Sequence, residues 1–263
     1  MKIASIKITE WDDSQVAELS VGEYIKKGDS AIIKDEQNFE ELAVIEEIIN
    51  EEKKDTVKNL VLRKATDNDF KKLESLKEKE AEYLKYCNEC VKNLNLDMKL
   101  VDCHISFDEQ RIIFVFTAEG RIDFRELVKM LNWTFRKAIR MRQIGIRDEA
   151  KILGDLGTCG RALCCRKFLN ELSSVSSEVA DNQQINNRGA DRISGICGRL
   201  KCCLNYEKEG YKELAKKLPP VGAGVKFKGK KLKVIGWHIL KQTVDLEIDK
   251  DTKIEVEIDK LEI

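Results

Sequence analysis

Residues 100–116 read Leu100-Val101-Asp102-Cys103-His104-Ile105-Ser106-Phe107-Asp108-Glu109-Gln110-Arg111-Ile112-Ile113-Phe114-Val115-Phe116. Val101, Cys103, Ile105 and Phe107 alternate with Leu100, Asp102, His104 and Ser106, the period of two that marks a half-buried strand. Asp108-Glu109-Gln110 breaks the pattern as a turn. The unbroken apolar run Ile112–Phe116 then predicts a well-buried partner strand, so the stretch is a hairpin.

Helical patterns flank this hairpin. Thr66, with Asp69 three residues on, opens a helix in which Phe70, Leu73, Leu76, Leu84, Val91 and Leu94 keep a helical spacing to about Asn93. Asp123, followed by Glu126, caps a second helix whose stripe is Phe124, Leu127, Val128, Leu131, Phe135 and Ala138. Ile139–Ile146 follows as a strand that points Arg140 and Arg142 to one side. The order helix, strand, strand, helix, strand predicts an α+β sandwich over residues 65–153, with two helices on one sheet face.

On either side the patterns change. Residues 1–64 are expected to form a β-rich module with strands at Lys2–Ile8, Ala31–Lys34, Leu42–Ile48 and Leu60–Arg63 and a Lys27-Gly28-Asp29 turn. After Pro219-Pro220, Val225–Phe227, Leu232–Ile235, Val244–Ile248 and Ile254–Ile258 predict a small barrel-like C-terminal module over residues 219–263. Residues 154–218 lie between. Within Gly154–Tyr206, glycines 154, 157, 160, 189, 195 and 198, six cysteines and the Ser/Asn-rich Ser173–Asn187 stretch leave little apolar material, ahead of a charged, helix-like Glu207–Lys217. Something other than a hydrophobic core is expected to order that segment.

The composition suits a soluble globular chain of small modules: 263 residues, 42% hydrophobic, 36% charged, two prolines. No apolar run approaches the roughly 20 residues that span a bilayer. The start, Met1-Lys2-Ile3-Ala4-Ser5-Ile6, reads as a strand rather than a signal-peptide core, so a cytoplasmic location is expected. Nine cysteines in that compartment point to metal or redox chemistry rather than to a disulfide framework. The zero net charge hides an asymmetry. Residues 1–60 carry 8 Lys against 15 Asp and Glu, whereas residues 136–167 carry 9 Lys and Arg against 3 acids, around the first of the cysteine motifs.

Cys159-Gly160-Arg161-Ala162-Leu163-Cys164-Cys165 and Cys197-Gly198-Arg199-Leu200-Lys201-Cys202-Cys203 agree at five positions 38 residues apart, a duplicated unit. Thiolates bind soft metals, and the two halves together satisfy either a tetrahedral zinc or a cubane iron–sulfur cluster. Adjacent cysteines suit one tetrahedral ion poorly because their side chains diverge; a multi-iron cluster or two sites tolerate them better. Gly160 and Gly198 would let the backbone turn and bring amides towards sulfur, and Arg161 and Arg199 would favour thiolate. A thiol–disulfide switch within each pair or between halves is the competing reading, and inert buried cysteines the bland one. Cys87 and Cys90, with Cys103 on the next strand, have metal-like spacing but fit helix packing better.

Other chemistry is sparse. The histidines, His104 on a polar strand face and His238 beside Trp237, read as structural or surface residues. Gly222-Ala223-Gly224 and the Gly154, Gly157, Gly160 series lack a following Gly-Lys-Ser/Thr and so are turns rather than a phosphate loop. Arg136, Lys137, Arg140, Arg142, Arg147, Arg161, Arg166 and Lys167 form a basic block, able to dock an acidic protein or to contact RNA phosphates. Aromatic content of 6% offers few stacking platforms, which favours docking.

Met98-Lys99-Leu100-Val101-Asp102, Phe116-Thr117-Ala118-Glu119-Gly120-Arg121-Ile122-Asp123-Phe124-Arg125-Glu126-Leu127-Val128, Arg142-Gln143-Ile144-Gly145-Ile146-Arg147-Asp148-Glu149-Ala150-Lys151 and the cysteine repeat with Ile193-Ser194-Gly195 before its second copy closely resemble the bacterial RicT (YaaT, stage-zero sporulation) family. The resemblance covers nearly the whole chain and is densest from Leu94 to Leu218. It implies a non-enzymatic subunit of a complex with RicA-like and RicF-like helical proteins, carrying [4Fe–4S] clusters through cysteines like Cys159, Cys164, Cys165, Cys197, Cys202 and Cys203. It further implies a link to ribonuclease Y-dependent messenger-RNA maturation, and to sporulation, competence and biofilm development where those occur. This sequence departs from the family's Pro at Thr158 and from its Asn-Pro turn at Asn187-Arg188-Gly189. The family is also labelled signal-peptidase-like, or by a polymerase-suppressor-type C-terminal domain. Neither label draws support from the residues, which offer no membrane segment and no Ser/Lys or Ser/His/Asp constellation.

Overall fold

A computed structural model describes residues 2–19, 25–50, 59–169, 174–185, 189–249 and 252–261. The chain is α+β and divides into two compact units, residues 1–154 and 155–263.

The first unit opens with β1 (Lys2–Lys7), β2 (Gln15–Leu19), β3 (Ser30–Lys34), β4 (Glu40–Asn50) and β5 (Asn59–Lys64), closed into a barrel in the order β1-β2-β5-β3-β4. β2 runs parallel to β5; the other pairings are antiparallel. Ala4, Ala17, Ala31 and Ala43 share its interior with Ile6, Ile33, Ile45 and Val61. Such small inward side chains let five strands close without leaving a lumen. The Lys27–Asp29 turn forms at Gly28, whose φ of +87° suits glycine. β2 is a strand that the local pattern did not predict.

The chain continues through α1 (Asp67–Asn93), β6 (Lys99–Ile105), β7 (Arg111–Thr117), α2 (Arg125–Phe135) and β8 (Ala138–Gln143). At the start of α1 the Asp69 carboxylate accepts both the Thr66 N–H (2.7 Å) and the Thr66 hydroxyl (2.8 Å), and pairs with Arg63 at 2.5 Å. These bonds hold its pKa well below the usual carboxylate range, the Arg63 contact contributing most. β7 pairs antiparallel with β6 and parallel with β8, α2 making the crossover. Ile112, Phe114 and Phe116 meet Leu76, Cys87, Val91, Leu127 and Leu131 on the helix side, while Ile113 and Val115 pack with Trp11, Ile144 and Ile152 on the other.

Three local expectations are corrected. A bulge between Leu100 and Asp102 shifts the β6 register, so Leu100 rather than Val101 joins Cys103, Ile105 and Phe107 in the core. α2 starts one residue after Phe124, with Asp123 accepting the Arg125 N–H at 3.2 Å, and ends at Arg136 in a left-handed conformation, so Ala138 belongs to β8. Residues 144–146 leave the strand: Gly145 caps α3 (Ile146–Leu153), its N–H donating to Asp148 at 3.2 Å.

The barrel and the sheet are tied by buried charge within this unit. Arg111 pairs with Asp35 (2.7 Å) and Glu41 (2.8 Å), and His104 with Glu41 (2.8 Å) and Glu80 (3.4 Å). Burial opposes the charged His104 ring, but the two carboxylates outweigh it and raise its pKa to about 10.

The second unit contains α4 (Cys164–Lys167), α5 (Ser177–Asn182), α6 (Ala190–Ile193) and α7 (Cys202–Ala215), then β9 (Gly224–Phe227), β10 (Lys230–His238), β11 (Thr243–Asp249) and β12 (Thr252–Glu257). The strands form an open antiparallel sheet in the order β12-β11-β10-β9, not the barrel expected; the closed barrel is at the other end of the chain. Leu218, Val225, Val234, Ile239, Val244, Leu246 and Val256 build its core, against Tyr211, Leu214 and Ala215 of α7. The segment expected to lack a core has a small one of its own, Val179, Ala180 and Leu204 with Val175 and Ile185. Ser173, Asn187 and Arg188 fall outside the described residues. No helix among the described residues is long and apolar enough to cross a membrane.

Candidate metal centre

The two cysteine motifs fold into the same loop. In the first, Gly157 N–H donates to Arg161 C=O (2.7 Å), Gly160 N–H to Gly157 C=O (2.8 Å), and Leu156 bridges Ala162. In the second, Gly195 N–H donates to Arg199 C=O (2.8 Å), Gly198 N–H to Gly195 C=O (3.0 Å), and Ser194 bridges Leu200. Gly160 and Gly198 sit at φ +73° and +72°, the left-handed position that closes such a turn and that a side chain disfavours. Leu163 and Lys201 are extended at ψ 130°, after which Cys164 and Cys202 open α4 and α7. A charged pattern beginning at Glu207 therefore understated α7, which starts on the second cysteine pair.

The duplication reaches beyond the seven-residue motif. Gly157 and Gly195 occupy equivalent turn positions, and the Sγ atoms of Cys159 and Cys197 lie 3.5 and 3.8 Å from where a β carbon on each would stand. Phe168 and Tyr206, again 38 residues apart, meet edge to face at 5.3 Å. Equivalent positions touching each other is the pattern of a local pseudo-two-fold. Extending the repeat comparison three residues past each Cys-Cys pair would have found these aromatics.

The thiols differ in environment. Cys159 is exposed, Cys165 is buried, and Cys164, Cys197, Cys202 and Cys203 are half-buried. Burial raises the Cys203 pKa, with further contributions from Cys164 and Glu207. Among the described residues no three His, Cys, Asp or Glu side chains converge closely enough to hold a metal ion. The donor set itself, six sulfurs from two matching loops, suits a soft metal or an iron–sulfur cluster. Arg161 and Arg199 are exposed and joined to the loops through their backbone carbonyls; the cation that lowers the Cys203 pKa is Lys201.

The other cysteines pack. Cys87, Cys90 and Cys103 lie in the core of the first unit, where burial first, then Cys90, pushes Cys87 up to about 12. Cys103 moves in the same direction for the same primary reason.

Within the first unit the residues of the basic block sit in different settings. Arg136 and Arg140 are exposed, but Lys137 pairs with Glu109 at 3.3 Å. Arg142 pairs with Asp12 and lies 4.7 Å over the Trp11 ring. Arg147 is 8% exposed, its Nε without a hydrogen bond. Arg161, Arg166 and Lys167 are exposed but belong to the second unit. A charge count cannot distinguish a solvated arginine from one that ties two elements together.

Two family descriptions match the chain: the PSP1 C-terminal conserved region over residues 59–144 and the PSP1-like protein, third domain, over residues 174–218. The polymerase-suppressor-type label, unsupported by the residues alone, is thus the one the comparison carries. The stage 0 sporulation protein YaaT of Bacillus subtilis is 39% identical over 194 residues, 74% of this chain and 70% of that protein. An uncharacterized protein of Schizosaccharomyces pombe is 33% identical over 81 residues, 31% of this chain and 11% of that protein. No solved structure matches. With its PSP1 regions and its likeness to YaaT over more than two thirds of both chains, the chain belongs to the YaaT (RicT) family of PSP1-containing proteins.

Proposed function

We propose that this chain is a non-enzymatic iron–sulfur adaptor, a regulatory subunit that presents a cluster-ordered surface to partner proteins. The observation that carries the reading is the loop built twice, with Phe168 and Tyr206, each three residues past its cysteine pair, in edge-to-face contact. Cys159, Cys164, Cys165, Cys197, Cys202 and Cys203 would hold the group, a [4Fe–4S] cluster, with zinc as the alternative. When bound, it would supply folding energy to a segment whose own apolar cluster is small. Gly160 and Gly198 shape the loops, and the helix openings at Cys164 and Cys202 aim each thiol pair. Membership of the YaaT family, whose named relative is a sporulation protein, supports a developmental regulatory role. RicA-like and RicF-like helical subunits and ribonuclease Y are the proposed partners, and messenger-RNA maturation the proposed process.

Exposed Leu156, Phe168, Ile196 and Tyr206 surround the loops and suit a covered rather than a solvated surface. Anaerobic purification followed by iron and sulfide analysis and an absorption spectrum tests the reading. Iron and sulfide in equal amounts with visible charge-transfer bands are expected. Zinc alone would replace the cluster by the alternative metal, and a colourless, metal-free protein that stays monomeric with its cognate partners would remove the proposal.

A further inference from the structure

The C-terminal sheet carries a feature independent of the cysteines. Residues 221–244 contain six lysines and no acidic residue. Five of these, Lys226, Lys228, Lys230, Lys231 and Lys233, lie on the β9–β10 hairpin, and all five are exposed. Val225, Leu232 and Val234 turn inward to the core, so Lys226, Lys231 and Lys233 share the outer face.

Three details separate this hairpin from an ordinary solvated edge. Lys226 and Lys231 are directly opposite in the strand register, a like-charge pair that weakens a sheet. Lys228, at φ +49° beside Gly229 at φ +74°, occupies a turn position that favours Asn or Gly. Among the described residues none of the five has an ion pair, although Lys241 of the β10–β11 turn and Lys253 of β12 pair with Glu255 and Asp245. Glu247 stands opposite Lys233 without bonding to it. Lysines on an edge strand guard against edge-to-edge aggregation, and that accounts for β9. It does not account for Lys233, which is paired with Gly224 on one side and Glu247 on the other.

We infer that the outer face of the β9–β10 hairpin binds the phosphodiester backbone of single-stranded nucleic acid. Lysines two apart on a strand are about 6.6 Å apart. The patch is only two strands wide, about 5 Å, so it can follow a single phosphate backbone but cannot span both backbones of a duplex. The face offers point charges without amide side chains to read base edges, so binding is sequence-tolerant, and RNA and DNA strands of equal length bind alike. Each lysine that neutralises a phosphate releases a counterion, which makes salt dependence the diagnostic readout.

The test is fluorescence anisotropy of the full chain with a labelled oligouridylate of about ten nucleotides over a salt series. The three outer-face lysines give an expected slope of log affinity against log salt of about −2, shrinking by about 0.7 for each of them removed. A K226Q/K228Q/K230Q/K231Q/K233Q variant should lose at least tenfold in affinity at low salt, whereas replacing the same lysines by arginine should preserve binding. Equal affinity and slope in wild type and the glutamine variant would overturn the inference. So would binding confined to duplexes or to phosphatidylserine vesicles. Iron content of the glutamine variant should be unchanged, so this inference and the adaptor reading fail separately.

Discussion

Cysteines occur in two settings in this chain, and the settings differ in what holds the backbone. Cys87, Cys90 and Cys103 sit in a core with Phe114, Phe116, Leu127 and Leu131 and behave as small hydrophobes. The six in the second unit lie on two hydrogen-bonded loops with exposed aromatics beside them and the small Val179, Ala180 and Leu204 cluster nearby. Spacing alone makes both groups look metal-binding. Burial separates them: an apolar core already satisfies a thiol, whereas the thiols on the twice-built glycine loops lie outside any large core and are the ones proposed to hold a cluster.

The comparison breaks most readily at the core. Phe114→Ala should cost about 3–5 kcal/mol in denaturant unfolding of the metal-free protein, since a fully buried ring leaves a cavity. Cys103→Ser should cost about 1–3 kcal/mol by burying an unpaired hydroxyl, with no change in iron content.

Alkaline pH sharpens the contrast. Unfolded thiols ionise above about 8.5. Folded Cys87 keeps its proton to about 12, so the unfolded state binds fewer protons across that window. Stability should therefore be intact below pH ~8.5 and fall as pH rises, approaching about 1.4 kcal/mol per unit for this group. Cys87→Ala should remove that part of the slope in urea titrations.

Gly160→Ala and Gly198→Ala should each cost about 1–2 kcal/mol through the left-handed backbone alone, because a β carbon there meets no atom within 4 Å. Smallest is the effect of Cys164→Ser or Cys202→Ser on the metal-free protein, about 0.5 kcal/mol or less for half-buried side chains outside the main core.

Long periodic elements were legible in the sequence: α1 with its Thr66 and Asp69 start, the buried β7, and every strand of the two ends except β2. Non-local features were not. Barrel closure depends on the parallel pairing of β2 with β5, which no local alternation encodes. The apolar run Ile139–Ile146 hid the cap at Gly145 that starts α3. At the candidate site the duplication was readable as identity, but the contact between Phe168 and Tyr206 needed the fold. Arg142 and Arg147 counted as surface charge until burial and the partner Asp12 located them.

The six repeat cysteines, and not the three core ones, are proposed to hold an iron–sulfur cluster. The most direct measurement is iron and sulfide content of anaerobically purified wild type beside Cys164→Ser, Cys203→Ser and Cys87→Ser. Cluster is expected in wild type and Cys87→Ser, with most of it lost in the two repeat variants. Full iron retention in both repeat variants, or iron loss confined to Cys87→Ser, would contradict it.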